Sequence, residues 1–339
     1  MDLDSISILT LWTAIAVYAG SFIAYAFDLA RRSSANTAAA VASPASSPAL
    51  VAAGGGAAAA GDLRAAGVAD AGDVRPRRGK RDGAPRYIFA RIGTALAILG
   101  WLFHLAATLT RGFAAGRVPW ANLYEFAMIG TLLIMGVFLV VLTRIDLRYL
   151  GTFISGLVVV LLGAAAANFY VSVTPLVDPL KSVWLVIHVF VASLSTALLA
   201  LAFALSVMQL LQSRRERRVA EGVENAGPGF LRTLPNTVRL ENMAYHFTVV
   251  GFIFWTFTLI AGSIWAQDAW GRYWGFDVKE TWTFIIWVLY AGYIHARATR
   301  GWRGNPSAWL SITGFTAVIF NFAIVNVFFK GLHAYSGLS

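Results

Sequence analysis

The segment SVWLVIHVFVASLSTALLALAFALSVMQLLQ, residues 182–212, decides the fold. It carries no Asp, Glu, Lys or Arg, and about 20 apolar residues suffice for a helix to cross a hydrocarbon core. The segment exceeds one bilayer thickness, so its helix tilts or projects beyond the membrane. On the same template seven further spans follow, at about 6–28, 88–109, 122–143, 150–171, 242–264, 281–298 and 308–330. The span from Gly151 to Tyr170 is rich in Gly and Ala, which suits close helix contact. The predicted fold is all-α, a polytopic membrane helical bundle of about eight transmembrane helices.

Composition agrees. Of 339 residues, 58% are hydrophobic and only 13% charged, roughly half the charge of a soluble domain. An ordinary water-soluble globule is excluded. There is no cysteine, which rules out disulfides, thiolate metal sites and thiol redox chemistry within this chain. The net charge of +10 is distributed as in membrane proteins and does not indicate nucleic acid. With the N-terminus placed outside, the inside segments hold nine basic residues in 29–87, Arg144 and Arg148, six from Arg214 to Arg239, and Arg297, Arg300 and Arg303. The outside loops hold only Arg111, Arg117, Lys181, Arg272 and Lys279. This bias sets both termini outside. The acidic start MDLDS and the following Arg31 and Arg32 reverse the charge order of a cleavable signal, so the first span is expected to stay.

Three regions result. Residues 1–32 read as an N-terminal transmembrane anchor helix appended to the bundle. Residues 33–87, rich in Ala, Gly and Ser and ending in a basic run, read as a disordered cytoplasmic linker near anionic lipid. Residues 88–339 form the membrane domain, without an internal repeat.

The spans themselves are nearly free of ionisable residues, unlike those of most transporters. The polar information lies in the outer loops and in five histidines. IWAQDAWGRYWGFDVKETWTFIIW, residues 264–287, holds Trp265, Trp270, Trp274, Trp282 and Trp287. Taken blandly, it is an interfacial aromatic belt, and Asp277 with Glu280 is a capping box that starts the seventh helix. Five tryptophans spaced by Gly271 and Gly275 also make a flat apolar floor for a large planar aromatic ligand. His188 lies one turn inside the fifth span with Trp184 four residues earlier on the same face, and His333 follows the last span. Two imidazoles level with an aromatic floor suggest haem held by axial histidines. His104 near the end of the second span reads as a packing residue. His246, near the inner start of the sixth, has no clear ligand role.

The pattern W-G-x-Y-W-x-F-D-x-K-E-T-W, Trp270 to Trp282, resembles the WWD signature of haem-handling membrane proteins. Residues 85–339 resemble the CcsA/ResC subunit (CcsB in some bacteria) of System II cytochrome c biogenesis. GRVPWANLYEF at 116–126, KSVWLVIHV, YAGYIHARATRGWRG and GLHAYSG occur in the family's order. Phe276 and Val278 stand where Trp and Pro are usual, and both remain apolar. The resemblance implies a cytochrome c synthase (haem lyase) subunit at the cell (plasma) membrane, with the WWD loop extracytoplasmic. It would bind haem b as substrate, export it and present it for attachment to the CxxCH thiols of an apocytochrome c. The implied partner is a ResB/Ccs1-type membrane protein. His188 and His333 inherit the outer axial roles, and His295 an inner haem role with a second ligand from the partner; His246, at similar depth, is the in-chain rival for that ligand but falls where the family pattern is not histidine. Trp184, Trp265, Trp270, Trp274, Phe276, Asp277 and Trp282 are the further candidates for the haem site, with Arg272 and Lys279 as the nearest counter-charges for propionates. The signature does not separate this reading from a haem transporter or chaperone without ligation activity; the NLYEF-type loop and the spacing of His188, His295 and His333 favour the synthase. A third reading is a quinone- or lipid-binding scaffold, which needs no iron ligands.

Overall fold

The computed structural model describes residues 2–42, 88–223, 226–299, 301–329 and 331–333. Among the described residues the long helices are α1 Leu3–Ala42, α2 Ile88–Ala115, α3 Leu123–Leu142, α4 Gly151–Asn168, α5 Val183–Ala220, α6 Thr237–Trp270, α7 Val278–Ala298 and α8 Asn305–Ile319. No strand occurs among the described residues. Seven of these helices, α8 being counted with its continuation to Phe328, are long and apolar enough to cross a membrane. The exception, α7, has 21 residues but a more polar sequence, with Lys279 and Glu280 at its start and Arg297 at its end. α8 loosens into a π-helical turn at Phe320–Val325 and closes at Asn326–Phe328.

The helix expected to run past one bilayer thickness does so. α5 has 38 residues, about 57 Å at 1.5 Å per residue, and its charged end Arg214–Arg218 lies beyond the apolar run. It also joins two packing clusters. One gathers Leu11, Tyr18, Tyr25, Met128, Phe138 and Leu162 around Leu201 and Leu205 of α5. The other gathers Trp255, Ile286, Tyr290, Phe315 and Val318 around Leu199 and Ala200.

The first helix, whose membrane-spanning part is Leu3–Arg31, packs into the bundle. Leu11, Ala14, Tyr18 and Tyr25 are buried in the first cluster. Ser7 Oγ donates to Ala107 O at 2.8 Å and Ser21 Oγ to Gly93 O at 2.8 Å, while Tyr25 and Thr94 share a hydroxyl bond of 2.8 Å. Small and hydroxylic side chains are the means by which helices associate in lipid. Its helix also continues to Ala42, ten residues past the expected boundary. The remainder of the proposed linker, 43–87, lies outside the described residues. His104 packs as expected: it is fully buried, edge-on to the Tyr18 ring at 6.0 Å.

Candidate functional site

The end of α6, the start of α7 and the end of α8 meet above the start of α5. Gln267 O accepts the Gly271 N–H, and Gly271 ends α6 in the left-handed conformation at φ 70°, which a residue without Cβ adopts freely. The chain then turns through 272–276 to Asp277. The capping box is present: Asp277 accepts the Lys279 N–H, and Glu280 Oε2 accepts the Asp277 N–H at 3.0 Å. The same oxygen accepts the Gly275 N–H at 2.9 Å, which fixes the loop.

Below this loop lies a mostly apolar cavity of about 250 Å³. His188, His333, Trp265, Trp270, Trp274 and Lys279 all line it. Trp265 is its hinge of aromatic contacts. Its ring is stacked on His188 at 5.9 Å and 15°, and meets Trp270 at 4.8 Å and His333 at 5.5 Å. Trp270 and His333 are 4.9 Å apart, edge to face. The buried Trp265 indole donates to Pro179 O at 2.9 Å.

Each imidazole is oriented through Nδ1. His188 Nδ1 lies 2.9 Å from Thr258 O, and a carbonyl only accepts, so Nδ1 carries the proton and Nε2 the lone pair. His333 Nδ1 lies 2.8 Å from Asp277 Oδ2, which fixes the same tautomer. Asp277 Oδ1 also accepts the Leu332 N–H at 3.0 Å. The bond from His333 is the main reason that the Asp277 carboxyl is held down to about 2. Burial pushes His333 below the usual imidazole range. Both directions favour a neutral imidazole beside a carboxylate, the form that binds a metal. Two glycines admit these contacts. A Cβ on Gly262 would fall 2.7 Å from His188 Cε1, and one on Gly331 would collide with the Asp277 carboxylate.

The donor set fits an iron-centred planar ligand: two neutral imidazoles, aromatic walls and one cation. That cation is Lys279, whose ammonium donates to the Asn326 amide oxygen. Arg272 is engaged elsewhere, 3.7 Å from Glu280 and tucked over Gly275, and it does not line the cavity. Three further candidates stand off the cavity. Trp184 is exposed at the start of α5, because residues four apart are still rotated about 40°. Trp282 turns toward α8 and packs on Phe320 at 4.4 Å, since the face of α7 toward the cavity is Lys279 and Thr283. Phe276 is 81% exposed at φ 58°, a conformation that points its ring away from the loop's interior. Asp277 acts on His333 rather than on the cavity.

Wall residues that the sequence did not single out are Trp120 to Leu123, Phe126, Trp255, and Asn321, Phe322 and Asn326 of the π-turn and its close. The motif GRVPWANLYEF was the available signal for the first of these. A π-turn leaves no such trace, although it recurs at functional sites. At the opposite end, His246 and His295 are both exposed on their helices. Tyr245 and Tyr293 bring α6 and α7 together there, 6.4 Å apart.

A family model described as cytochrome C assembly protein matches residues 120–333. The cytochrome c biogenesis protein CcsA of Guillardia theta is 32% identical over 262 residues, covering 73% of this chain and 86% of that protein. CcsA of Synechococcus sp. (strain RCC307) is 33% identical over 279 residues, covering 75% and 87%. CcsA of Prochlorococcus marinus is 34% identical over 253 residues, covering 66% and 78%. Among solved structures, cytochrome c heme lyase CcmF superposes with a TM-score of 0.58 at 16% identity over 95% of this chain. The likeness is one of fold, and this chain spans 47% of that one.

Proposed function

The chain belongs to the cytochrome c assembly protein family, among proteins of the CcsA type, and from that premise we propose that its cavity holds haem between His188 and His333. One observation carries the reading. Two imidazoles line a single apolar cavity, and each has its Nδ1 occupied by a protein acceptor, so that Nε2 is the ligating atom of both. Trp265, Trp270 and Trp274 supply faces for the porphyrin, and Lys279 is the counter-charge for a propionate.

Haem, as haem b, is substrate here. The cavity presents its vinyl groups at the loop end of the bundle, where the CxxCH segment of an apocytochrome c docks. Each thiol adds across one vinyl C=C: sulfur bonds the inner carbon and the thiol proton ends on the terminal carbon. No leaving group or external oxidant is needed. The axial histidines and the tryptophan loop hold the ring while this happens, and no side chain of this chain is assigned to proton transfer. The lack of cysteine fits a division in which the acceptor supplies both thiols.

His295 receives incoming haem at the other end of α7, with a second ligand from the ResB/Ccs1-type partner. From Thr281 to His295 is fourteen residues, roughly 21 Å of helix, too far to share one iron with His188. In this reading the tryptophan loop faces the extracytoplasmic side of the cell (plasma) membrane, and the basic-residue bias supports that side. The test is haem content of the detergent-purified chain and cytochrome c maturation in His188→Ala and His333→Ala. Both are expected to fail and to recover in part with added imidazole. Normal maturation without imidazole in either variant overturns the axial assignment.

A further inference from the structure

A second polar cluster stands beside the cavity and takes no part in the reading above. Arg111, at the end of α2, is fully buried. Its Nε donates to Glu125 Oε1 at 3.0 Å, its Nη1 to Asp4 Oδ1 at 2.6 Å and its Nη2 to Val171 O at 2.6 Å. The guanidinium sits beside the Tyr124 and Tyr170 rings, 5.5 and 5.7 Å from their centres, and the two rings meet edge to face at 5.4 Å. Asp4 uses its other oxygen to accept the Tyr170 hydroxyl at 2.7 Å. Glu125, also fully buried, reaches the opposite way. Its Oε2 accepts the Ala121 N–H at 2.9 Å and Arg117 Nη1 at 2.7 Å. Those two contacts flank Trp120, which with Ala121, Asn122 and Leu123 forms one wall of the cavity.

The chain of contacts therefore runs from α1 to the cavity wall: Asp4, Arg111, Glu125, Ala121. Each link is charge-assisted, and Arg111 and Glu125 have no exposed side-chain surface through which water replaces a lost partner. Of the three charged members, Asp4 alone has exposed side-chain surface, 23%. It comes from a helix that the matching family region, 120–333, does not include.

We infer that Asp4, Arg111 and Glu125 are positioning residues of the haem cavity, through which the N-terminal helix sets the place of the Trp120 wall. The inference rests on the haem reading for its ligand and on geometry alone for the coupling. The experiment uses the full chain in detergent. Asp4→Asn and Glu125→Gln are made in the wild-type and Trp120→Ala backgrounds, and haem affinity is measured with amide hydrogen exchange of residues 117–122. Asp4→Asn keeps its size and sits at the edge of the cluster, so it remains informative if Glu125→Gln fails to accumulate. It is expected to weaken haem binding about fivefold, to raise exchange in 117–122, and to add less than about twofold once Trp120 is gone. Asp4→Glu is expected to restore part of the affinity. An equal loss in both backgrounds marks general destabilisation and overturns the inference, as does wild-type affinity in Asp4→Asn. If the wild-type chain binds no haem, the proposed function fails. The coupling is then read from exchange alone: raised exchange in Asp4→Asn supports it and unchanged exchange overturns it.

Discussion

The two ends of the bundle hold the same kinds of residue and use them differently. At the tryptophan-loop end two histidines line one cavity, and each has a fixed tautomer set by Thr258 O or Asp277. At the opposite end His246 and His295 are exposed on α6 and α7, while the buried charges there lock helices together. Arg297 Nε is 3.0 Å from Glu241 Oε1, which also accepts the Ser307 hydroxyl at 3.1 Å, and Arg297 Nη2 donates to Asn242 Oδ1 at 2.7 Å. Gln209 Nε2 donates to Gly304 O at 2.8 Å, and Glu216 accepts from both Thr237 N and Oγ1. One end gathers its histidines around a cavity within this chain; the other is a clamp with its histidines on the outside.

The comparison breaks most sharply at the axial histidines, whose alanine variants are expected to lose haem from the purified chain. The orienting contact comes next. Asp277→Asn keeps the cap of α7 but gives His333 Nδ1 a weaker partner, and such changes around a metal ligand cost roughly 10–100-fold in affinity. Titration of the variant with haem checks this. Gly262→Ala forces a methyl group against the His188 ring, and overpacking of this kind costs about 1–3 kcal/mol. The expected result is weaker haem binding with unchanged accumulation of protein. At the bottom of the scale is Phe276→Ala, expected to change affinity less than about twofold because burial, not exposure, is what carries binding energy.

The opposite end sharpens the comparison by context. In the chain alone, His295→Ala and His246→Ala are expected to leave the loop-end site unchanged. In the complex with the partner, His295→Ala is expected to deplete haem at both ends and His246→Ala to do little. Normal loop-end haem in the complex carrying His295→Ala contradicts entry from that end.

The spans were legible because lipid demands about 20 apolar residues and an internally bonded backbone. The length of α5 and the Asp277–Glu280 cap were legible for the same local reason. The integration of α1 was not. It depends on Asp4 meeting Arg111 across 107 residues and on Tyr25 packing against Gly151, contacts with no local pattern. Within the loop, composition located the aromatic floor but not its facing. Trp265 and Trp282 look alike in sequence, and one lines the cavity while the other fills the space between α7 and α8. The role of Gly262 was equally hidden, since it depends on which residue of α5 lies opposite.

The central claim is that His188 and His333 ligate one iron. The direct measurement is the electron paramagnetic resonance spectrum of the ferric haem-loaded chain, purified without its partner. The expected spectrum is low-spin bis-imidazole in the wild type. Either His188→Ala or His333→Ala is expected to convert it to high-spin, and added imidazole to restore the low-spin form. A low-spin spectrum that persists unchanged in one of these variants without imidazole contradicts the claim.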